Sequence, residues 1–147
     1  FSNLISPQLK AVLVFWRWPN PLPGHRAFSQ YLGKDPRIDP HRLQDKVGDF
    51  PSDPSEQNRL WYRIYRAHET ESSVMGAHKD FLLTRDITWL AFAMFLLFGL
   101  GSVFIGETTL QTVWYPAILG SQFVVAAIAA RRSGVRFVLN VLAVEAS

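Results

Sequence analysis

"ITWLAFAMFLLFGLGSVFI", residues 87–105, decides the fold, because these 19 positions contain no charged residue. A second uncharged stretch, "VWYPAILGSQFVVAAIAA", covers residues 113–130. Each stretch is close to the ~20 residues that carry an α-helix across the ~30 Å hydrocarbon core of a bilayer. The sequence therefore predicts an all-α membrane protein with two transmembrane helices.

The linker between the two predicted spans is "GETTLQT", residues 106–112. So short a connection makes the two helices antiparallel neighbours, which together form a transmembrane hairpin. Trp114 and Tyr115 are expected at one membrane–water interface and Trp89 at the other, as in the aromatic belts of membrane proteins.

The orientation of the hairpin follows from its flanking cations. Lysine and arginine are absent from the linker, but they stand before the first span and after the second, at Lys79, Arg85, Arg131, Arg132 and Arg136. By the positive-inside rule, both ends of the chain are cytoplasmic and the linker is outside. Arg131 and Arg132 are predicted to lie at the cytoplasmic interface.

Four parts follow along the chain. Residues 1–24 form an interfacial segment rich in aromatic residues and proline, and residues 25–86 form a helical cytoplasmic domain. The transmembrane hairpin covers residues 87–130. Residues 131–147 are expected to form a short amphipathic cytoplasmic tail helix, separated from the second span by a break at Gly134.

Two helices of the cytoplasmic domain have clear start signals. Asp39 and Asp53 each precede a proline, which is the pattern of an N-cap followed by the first helical residue. Glu56 can complete a capping box with Asp53, and Gly48 ends the first of these helices. A third helix is predicted to begin near Ser72 and to continue without interruption into the first span.

The helix after Asp53 is amphipathic. Leu60, Trp61, Ile64, Tyr65 and His68 share one face at helical spacing, and arginines occupy the other. The residues of this helix that are candidates for docking a protein partner are Arg59, Trp61, Arg63 and Arg66.

The segment "LKAVLVFWRWPNPLPG", residues 9–24, places Trp16 and Trp18 among cations near the membrane. Such rings fit the headgroup region, where indole N–H groups and cations meet phosphate or water. Alternatively, the rings of this segment fill the cytoplasmic core against Trp61. Both interpretations can hold for different rings, whereas a nucleic-acid platform would need more cations interleaved with the aromatics.

No catalytic constellation, cofactor motif or metal site is predicted. The chain has no cysteine, which excludes disulfides, thiolate nucleophiles and cysteine-bound metals. A metal could in principle gather His68 and His78 with nearby carboxylates, but solvated or core-edge histidines explain the pattern better. Asp35 and Arg37 are expected to form a local ion pair.

Within the predicted spans, small and polar residues favour close helix association. Gly99, Ala117, Ser121 and Gln122 are the candidates, and an amide near mid-bilayer needs a hydrogen-bond partner. Packing within the hairpin and association with another chain are both open. Because Ser102 lies at a different depth, we expect Gln122 to find its partner on another chain or on a backbone carbonyl near Gly99 or Gly101.

The string "NPLPGHRAFSQYLGKDPRID…QNRLWYRIYR…HKDFLLTRD" resembles a group of proteobacterial two-span membrane proteins to which no activity is assigned. The resemblance covers most of the chain. It implies a location in the bacterial inner membrane, and it associates the chain with defence genes.

These observations predict a non-enzymatic inner-membrane component that anchors, assembles with or regulates a partner through its cytoplasmic helices. The alternative is a membrane-perturbing effector of a bacterial defence system that acts by oligomerisation, and a membrane enzyme is a distant third. The expected partners are the lipid bilayer and a protein or a second copy of the chain. Neither nucleic acid nor a small-molecule substrate is indicated.

Overall fold

The computed structural model describes residues 6–147, and these residues form helices and turns without a β-strand. Residues 1–5 of the predicted interfacial segment lie outside the described part. The α-helices are α1 (Pro7–Phe15), α2 (Pro40–Val47), α3 (Pro54–Ala67), α4 (Ser72–Met94), α5 (Gly101–Ile105) and α6 (Tyr115–Ala146). Three short 3₁₀ or π turns cover Pro23–Arg26, Ala27–Tyr31 and Leu32–Lys34 between α1 and α2.

Two long helices dominate the molecule. A π-helical segment, Phe95–Leu100, joins α4 to α5 in one continuous helix, and a second π-helical segment, Leu110–Trp114, leads into α6. Ser72–Ile105 and Leu110–Ala146 are both long and apolar enough to cross a membrane. The uninterrupted helix predicted from Ser72 is confirmed, and the second helix begins three residues earlier than the predicted span.

The predicted caps of α2 and α3 are confirmed. The Asp39 carboxylate accepts a hydrogen bond from the His41 backbone N–H at 2.9 Å. Asp53 accepts from the N–H groups of Ser55 and Glu56 at 2.9 and 3.0 Å, which satisfies two donors that have no partner inside the helix. Gly48 ends α2 with a φ of 83°, a conformation that glycine adopts without a steric penalty.

The break expected at Gly134 does not occur, because α6 continues through this residue to Ala146. A Cβ atom at this position would lie 2.8 Å from Cζ of Phe15 and 3.0 Å from Cε2 of Phe81. Glycine is therefore used here for the close approach of two aromatic rings. The prediction of a separate tail helix over residues 131–147 is therefore wrong, because these residues continue α6 as far as Ala146.

The end of α6 is the centre of the hydrophobic core, not an interfacial tail. Phe137, Val138, Val141 and Leu142 are buried, and α1, α2, α3 and α4 all pack against this helix. The core also contains Ala11, Val14, Phe15, Ala27, Phe28, Tyr31, Ile38, Leu43, Leu60, Trp61, Ile64, Val74, Ala77, Phe81, Ala130 and Ala146. All of these residues lie outside 87–129, so one end of the helix pair has a packed core.

Candidate membrane-proximal site

Helix α1 lies against both long helices where they leave the core. Ser6 caps it by accepting a hydrogen bond from the Leu9 N–H at 3.3 Å, and Pro7 occupies its first position. Ala11 and Val14 are buried against α4 and α6. The helix ends at Trp16, whose φ of 49° turns the chain away.

An ion pair made by a buried lysine fixes α1 to the start of the first predicted span. The Lys10 Nζ atom lies 3.0 Å from Oδ1 of Asp86, and the Lys10 side chain is only 2% exposed. Arg85 contacts the same carboxylate at 3.2 Å. A buried charge is strongly unfavourable without its partner, so this contact holds α1 in one position. The signal that sequence analysis missed was a single lysine inside an otherwise apolar helix.

Arg131 links α6 to the same helix. Its Nε donates to the backbone carbonyl of Val14, and its guanidinium lies over the Trp16 ring, 4.1 Å from the ring centroid. This is a cation–π contact. The Nη2 atom of Arg131 is buried and has no hydrogen-bond partner among residues 6–147.

The aromatic residues of the opening segment divide between core and surface. Phe15 is buried and packs near Phe81, with 6.3 Å between ring centroids. Trp16 and Trp18 are 56% and 76% exposed. The core interpretation therefore holds for Phe15, and the two tryptophans are free to meet the surroundings of the protein.

An open groove of about 410 Å³ lies next to Arg131. One wall comes from residues 35–37, before α2, and the other from residues 131–139 of α6, just after the second predicted span. We call it the arginine groove, and its lining is Asp35, Arg37, Arg131, Arg132, Val135, Arg136 and Leu139. The predicted Asp35–Arg37 ion pair is confirmed at 2.7 Å, and hydrogen bonding from Arg37 lowers the pKa of the Asp35 carboxyl. Arg37 also donates to the side-chain oxygen of Asn140 at 2.9 Å.

The histidines considered as metal ligands are used separately. His68 pairs with Glu145 at 2.5 Å, whereas Nδ1 of His78 lies 3.1 Å from the Tyr65 hydroxyl. Burial, and then the positive charge of Arg85, lower the pKa of His78. Within residues 6–147, no group of three or more histidine, aspartate or glutamate side chains is placed to hold a metal ion.

His78 belongs to an aromatic cluster between α3, α4 and α6. Its ring stacks on Phe137 with 4.9 Å between centroids, and Trp61 meets Phe137 edge-on at 5.3 Å. Trp61 and Tyr65 stack at 5.8 Å. A cavity of about 200 Å³ borders this cluster.

The docking candidates on α3 have different fates. Trp61 is 7% exposed, so its candidacy is corrected: the ring is a core residue and offers no surface. Arg59 and Arg63 are exposed and border a groove with Asp49 and Glu56. Arg66 is exposed and pairs with Glu69 at 2.7 Å.

The four residues predicted to favour helix association do not lie on the same surface. Gly99 is buried, and a Cβ there would lie 3.4 Å from Cα of Pro116, so this glycine brings the two long helices together. Ala117, Ser121 and Gln122 are exposed on the outside of the pair. The Ser121 hydroxyl donates within its own helix to the Ile118 carbonyl at 2.8 Å.

Gln122 has no hydrogen bond to any residue in the described part of the chain. Ser102 is not its partner, because the Ser102 hydroxyl donates to the Gly99 carbonyl at 2.7 Å.

Of the aromatic residues predicted at the membrane interfaces, Trp114 and Tyr115 are exposed, and Trp89 is partly buried.

No protein family matches the chain, and neither a curated protein nor a solved structure does. The evidence for function consists of the chain's own chemistry. The clearest local features are three. The first is the α1 junction, where Lys10 meets Asp86 and Trp16 meets Arg131. The others are the arginine groove and the outward-facing apolar surface of the long helices.

Proposed function

We propose that this protein is a non-enzymatic component of the bacterial inner membrane that holds a compact helical domain at the cytoplasmic surface. Residues 87–130 cross the bilayer as a hairpin, and both ends of the chain are cytoplasmic. The domain anchors, assembles with or regulates a protein partner.

The observation that supports this proposal is the exposure of the apolar hairpin. In the most apolar 18-residue windows of the two long helices, only 11% and 17% of the residues are buried. The core helix of a soluble protein would be mostly buried in such a window. Contiguous exposed apolar surface of this extent needs lipid or another protein to cover it.

The distribution of charge supports the orientation. The α1 junction and the arginine groove place lysine and arginine at one end of the hairpin, whereas the turn at the other end carries only Glu107. Burial, and then the positive charge of Arg17, lower the pKa of Arg26. A cationic end with exposed tryptophans is the usual character of a cytoplasmic membrane interface.

The surface proposed for a partner is the outer face of α3. Arg59 and Arg63 stand one turn apart, are exposed, and border an open groove of about 410 Å³. Arginine is enriched at protein interfaces because its guanidinium forms bidentate contacts with carboxylates. Asp49 and Glu56 line the same groove, so a partner segment that carries both acidic and basic side chains fits this face.

Cysteine labelling tests the topology. The chain has no cysteine of its own, so single replacements at the exposed Thr108 and Ser55 report one side each. In intact inner-membrane preparations, a membrane-impermeant maleimide should label T108C only from the periplasmic side and S55C only after the cytoplasmic side is opened. Labelling of both positions from one side would rule out the hairpin.

The effector alternative has one observation in its favour, the exposed amide of Gln122 on the outside of the hairpin. An unpaired amide in hydrocarbon is unfavourable, and a second copy could supply its partner. Each such interhelical hydrogen bond contributes about 0.6–2 kcal/mol, and a symmetric assembly repeats it.

We expect Q122L to weaken self-association in mild detergent, measured by cross-linking, without changing membrane insertion. Q30L is the matched control, because Gln30 is exposed in the cytoplasmic domain. If Q122L and wild type give the same oligomer distribution, the effector alternative loses its structural support and a single-copy subunit is favoured.

A further inference from the structure

We propose that the arginine groove binds the phosphate headgroup of an anionic phospholipid of the cytoplasmic leaflet. This inference rests on the proposed function, since it requires residues 87–130 to cross the bilayer. It adds a specific lipid site to that function.

The groove has a surplus of positive charge. Its one carboxylate, Asp35, is already engaged by Arg37. Arg132 and Arg136 form no hydrogen bond or ion pair with any residue of the described chain, and both are exposed. They stand four residues apart on α6, where like charges repel. A phosphate between them would remove this repulsion and accept charge-assisted hydrogen bonds from both guanidinium groups.

Arg131 gives the groove a fixed cation at its membrane end. The Val14 carbonyl and the Trp16 ring hold this guanidinium on two sides. Its Nη2 atom is buried, so this arginine contributes positive charge to the groove from a fixed position and not a free hydrogen-bond donor. The exposed Arg132 and Arg136 supply the hydrogen bonds to the phosphate.

The depth of the groove matches the headgroup layer. If hydrocarbon ends near Ala130, a helix along the membrane normal places Arg132 about 3 Å and Arg136 about 9 Å beyond it, at ~1.5 Å per residue. The headgroup layer on each side of a bilayer is about 5–7 Å thick. Arg132 therefore lies inside this layer, and the long side chain of Arg136 can extend back into it.

The apolar part of the groove distinguishes a lipid from a free anion. Val135 and Leu139 line the same space as the arginines and are only partly buried. A glycerophospholipid presents an apolar glycerol and acyl region next to its phosphate, and it would cover these side chains. Inorganic phosphate would leave them uncovered.

The test compares two double variants with the same change in charge and the same spacing. R132Q/R136Q removes the groove cations, and R59Q/R63Q removes an exposed pair, also four residues apart, on α3. The full chain in uncharged detergent is titrated with phosphatidylglycerol, and bound lipid is measured by native mass spectrometry. Phosphatidylcholine serves as the lipid without net charge, and inorganic phosphate as the competitor without acyl chains.

We expect phosphatidylglycerol binding to weaken about 30-fold in R132Q/R136Q, since each arginine near an anionic surface contributes a factor of about 5. R59Q/R63Q should change it less than about 2-fold. R132K/R136K should retain most of the binding, because it keeps both charges. The lysine variant also provides a measurement if the glutamine variant fails to fold.

Equal losses in the two glutamine variants, or no loss in either, would overturn the inference. Displacement of the lipid by inorganic phosphate at equal concentration would also overturn it, because the groove would then bind any phosphate. Alkaline carbonate extraction separates this result from the proposed function. If wild type stays with the membrane while lipid binding is unchanged in R132Q/R136Q, only the groove inference fails. If carbonate releases wild type, the proposed membrane anchor is wrong, and the groove inference is wrong with it, because its depth argument requires residues 87–130 to cross the bilayer.

Discussion

In each long helix one half belongs to the packed core, and the other half, within residues 87–130, belongs to the hairpin. Apolar side chains are buried in the core half and mostly exposed in the hairpin half. In the core half, Val74, Ala77 and Phe81 repeat at helical spacing and are buried. In the hairpin half, Leu97 and Phe104 are mostly exposed. The first half is apolar on one face, and the second is apolar all round, which is the pattern of a helix in lipid. Under the proposed function, one continuous helix would meet water along its first half and lipid along its second.

The largest expected effect comes from deleting one ring in each half. Phe137 is 4% exposed and its ring packs against four others, those of Trp61, Tyr65, His78 and Phe81, so F137A should lower the free energy of unfolding of the packed core by about 3–5 kcal/mol. F104A is the matched change in the hairpin, where Phe104 is 86% exposed, and it should change this value by less than about 0.5 kcal/mol.

Urea titration in uncharged detergent, followed by near-ultraviolet circular dichroism of the Trp61 cluster, measures both variants. Similar losses in the two variants would contradict the division of the helices into two halves. It would mean that the hairpin contributes to the same cooperative unit as the core.

A smaller effect, of opposite sign at two sites, is expected from glycine substitutions. A Cβ at Gly134 would press on Phe15 and Phe81, and such overpacking costs about 1–3 kcal/mol. The better helix propensity of alanine offsets part of that, so we expect G134A to destabilise the core by about 1 kcal/mol. Gly76 on α4 has open space around it, and G76A should stabilise the protein by about 0.5–1 kcal/mol.

The same urea titration measures these variants, and their signs are the informative result. Stabilisation by G134A would show that α6 has room at this residue. The packing explanation for the continuous helix would then be wrong, and helix propensity alone would explain why no break occurs.

The elements that sequence predicted well are those with local signals. Asp39 and Asp53 cap their helices by accepting hydrogen bonds from the backbone N–H groups two and three positions later. Each cap therefore depends on only four consecutive residues. The apolar face of α3 and the continuity of α4 into the first span follow from periodicity in the same way. These features need no knowledge of the rest of the chain.

The features that sequence missed depend on contacts between distant residues. Gly134 is a common helix terminator, and only the rings of Phe15 and Phe81 make it a packing position. Lys10 and Asp86 are 76 residues apart, and Arg37 meets Asn140 across 103 residues. The helical spacing of Trp61 and its apolar neighbours fits both a docking face and a core, and the structure places Trp61 in the core. No local pattern distinguishes these cases, because the deciding partner comes from another helix.

The smallest expected effect is the dependence of stability on pH. It concerns only the core half of the helices, where the titratable ring of His78 packs against Tyr65 and Phe137. Burial, and then Arg85, lower the pKa of His78 in the folded protein. The unfolded chain, with an ordinary histidine pKa near 6.5, therefore takes up a proton first as the pH falls. Stability contributed by neutral His78 is complete above about pH 6.5 and declines as the pH falls towards the folded pKa.

The difference between wild type and H78Q isolates this contribution from all other groups. Urea midpoints measured from pH 7.5 to 5 should fall more steeply with acid in wild type than in H78Q. Y65F removes the hydroxyl that contacts His78 at 3.1 Å but keeps the ring that buries it. Because burial is the main cause of the lowered pKa, Y65F should keep the wild-type slope. If Y65F loses the slope as H78Q does, the hydrogen bond, and not burial against the neighbouring rings, is what keeps His78 neutral.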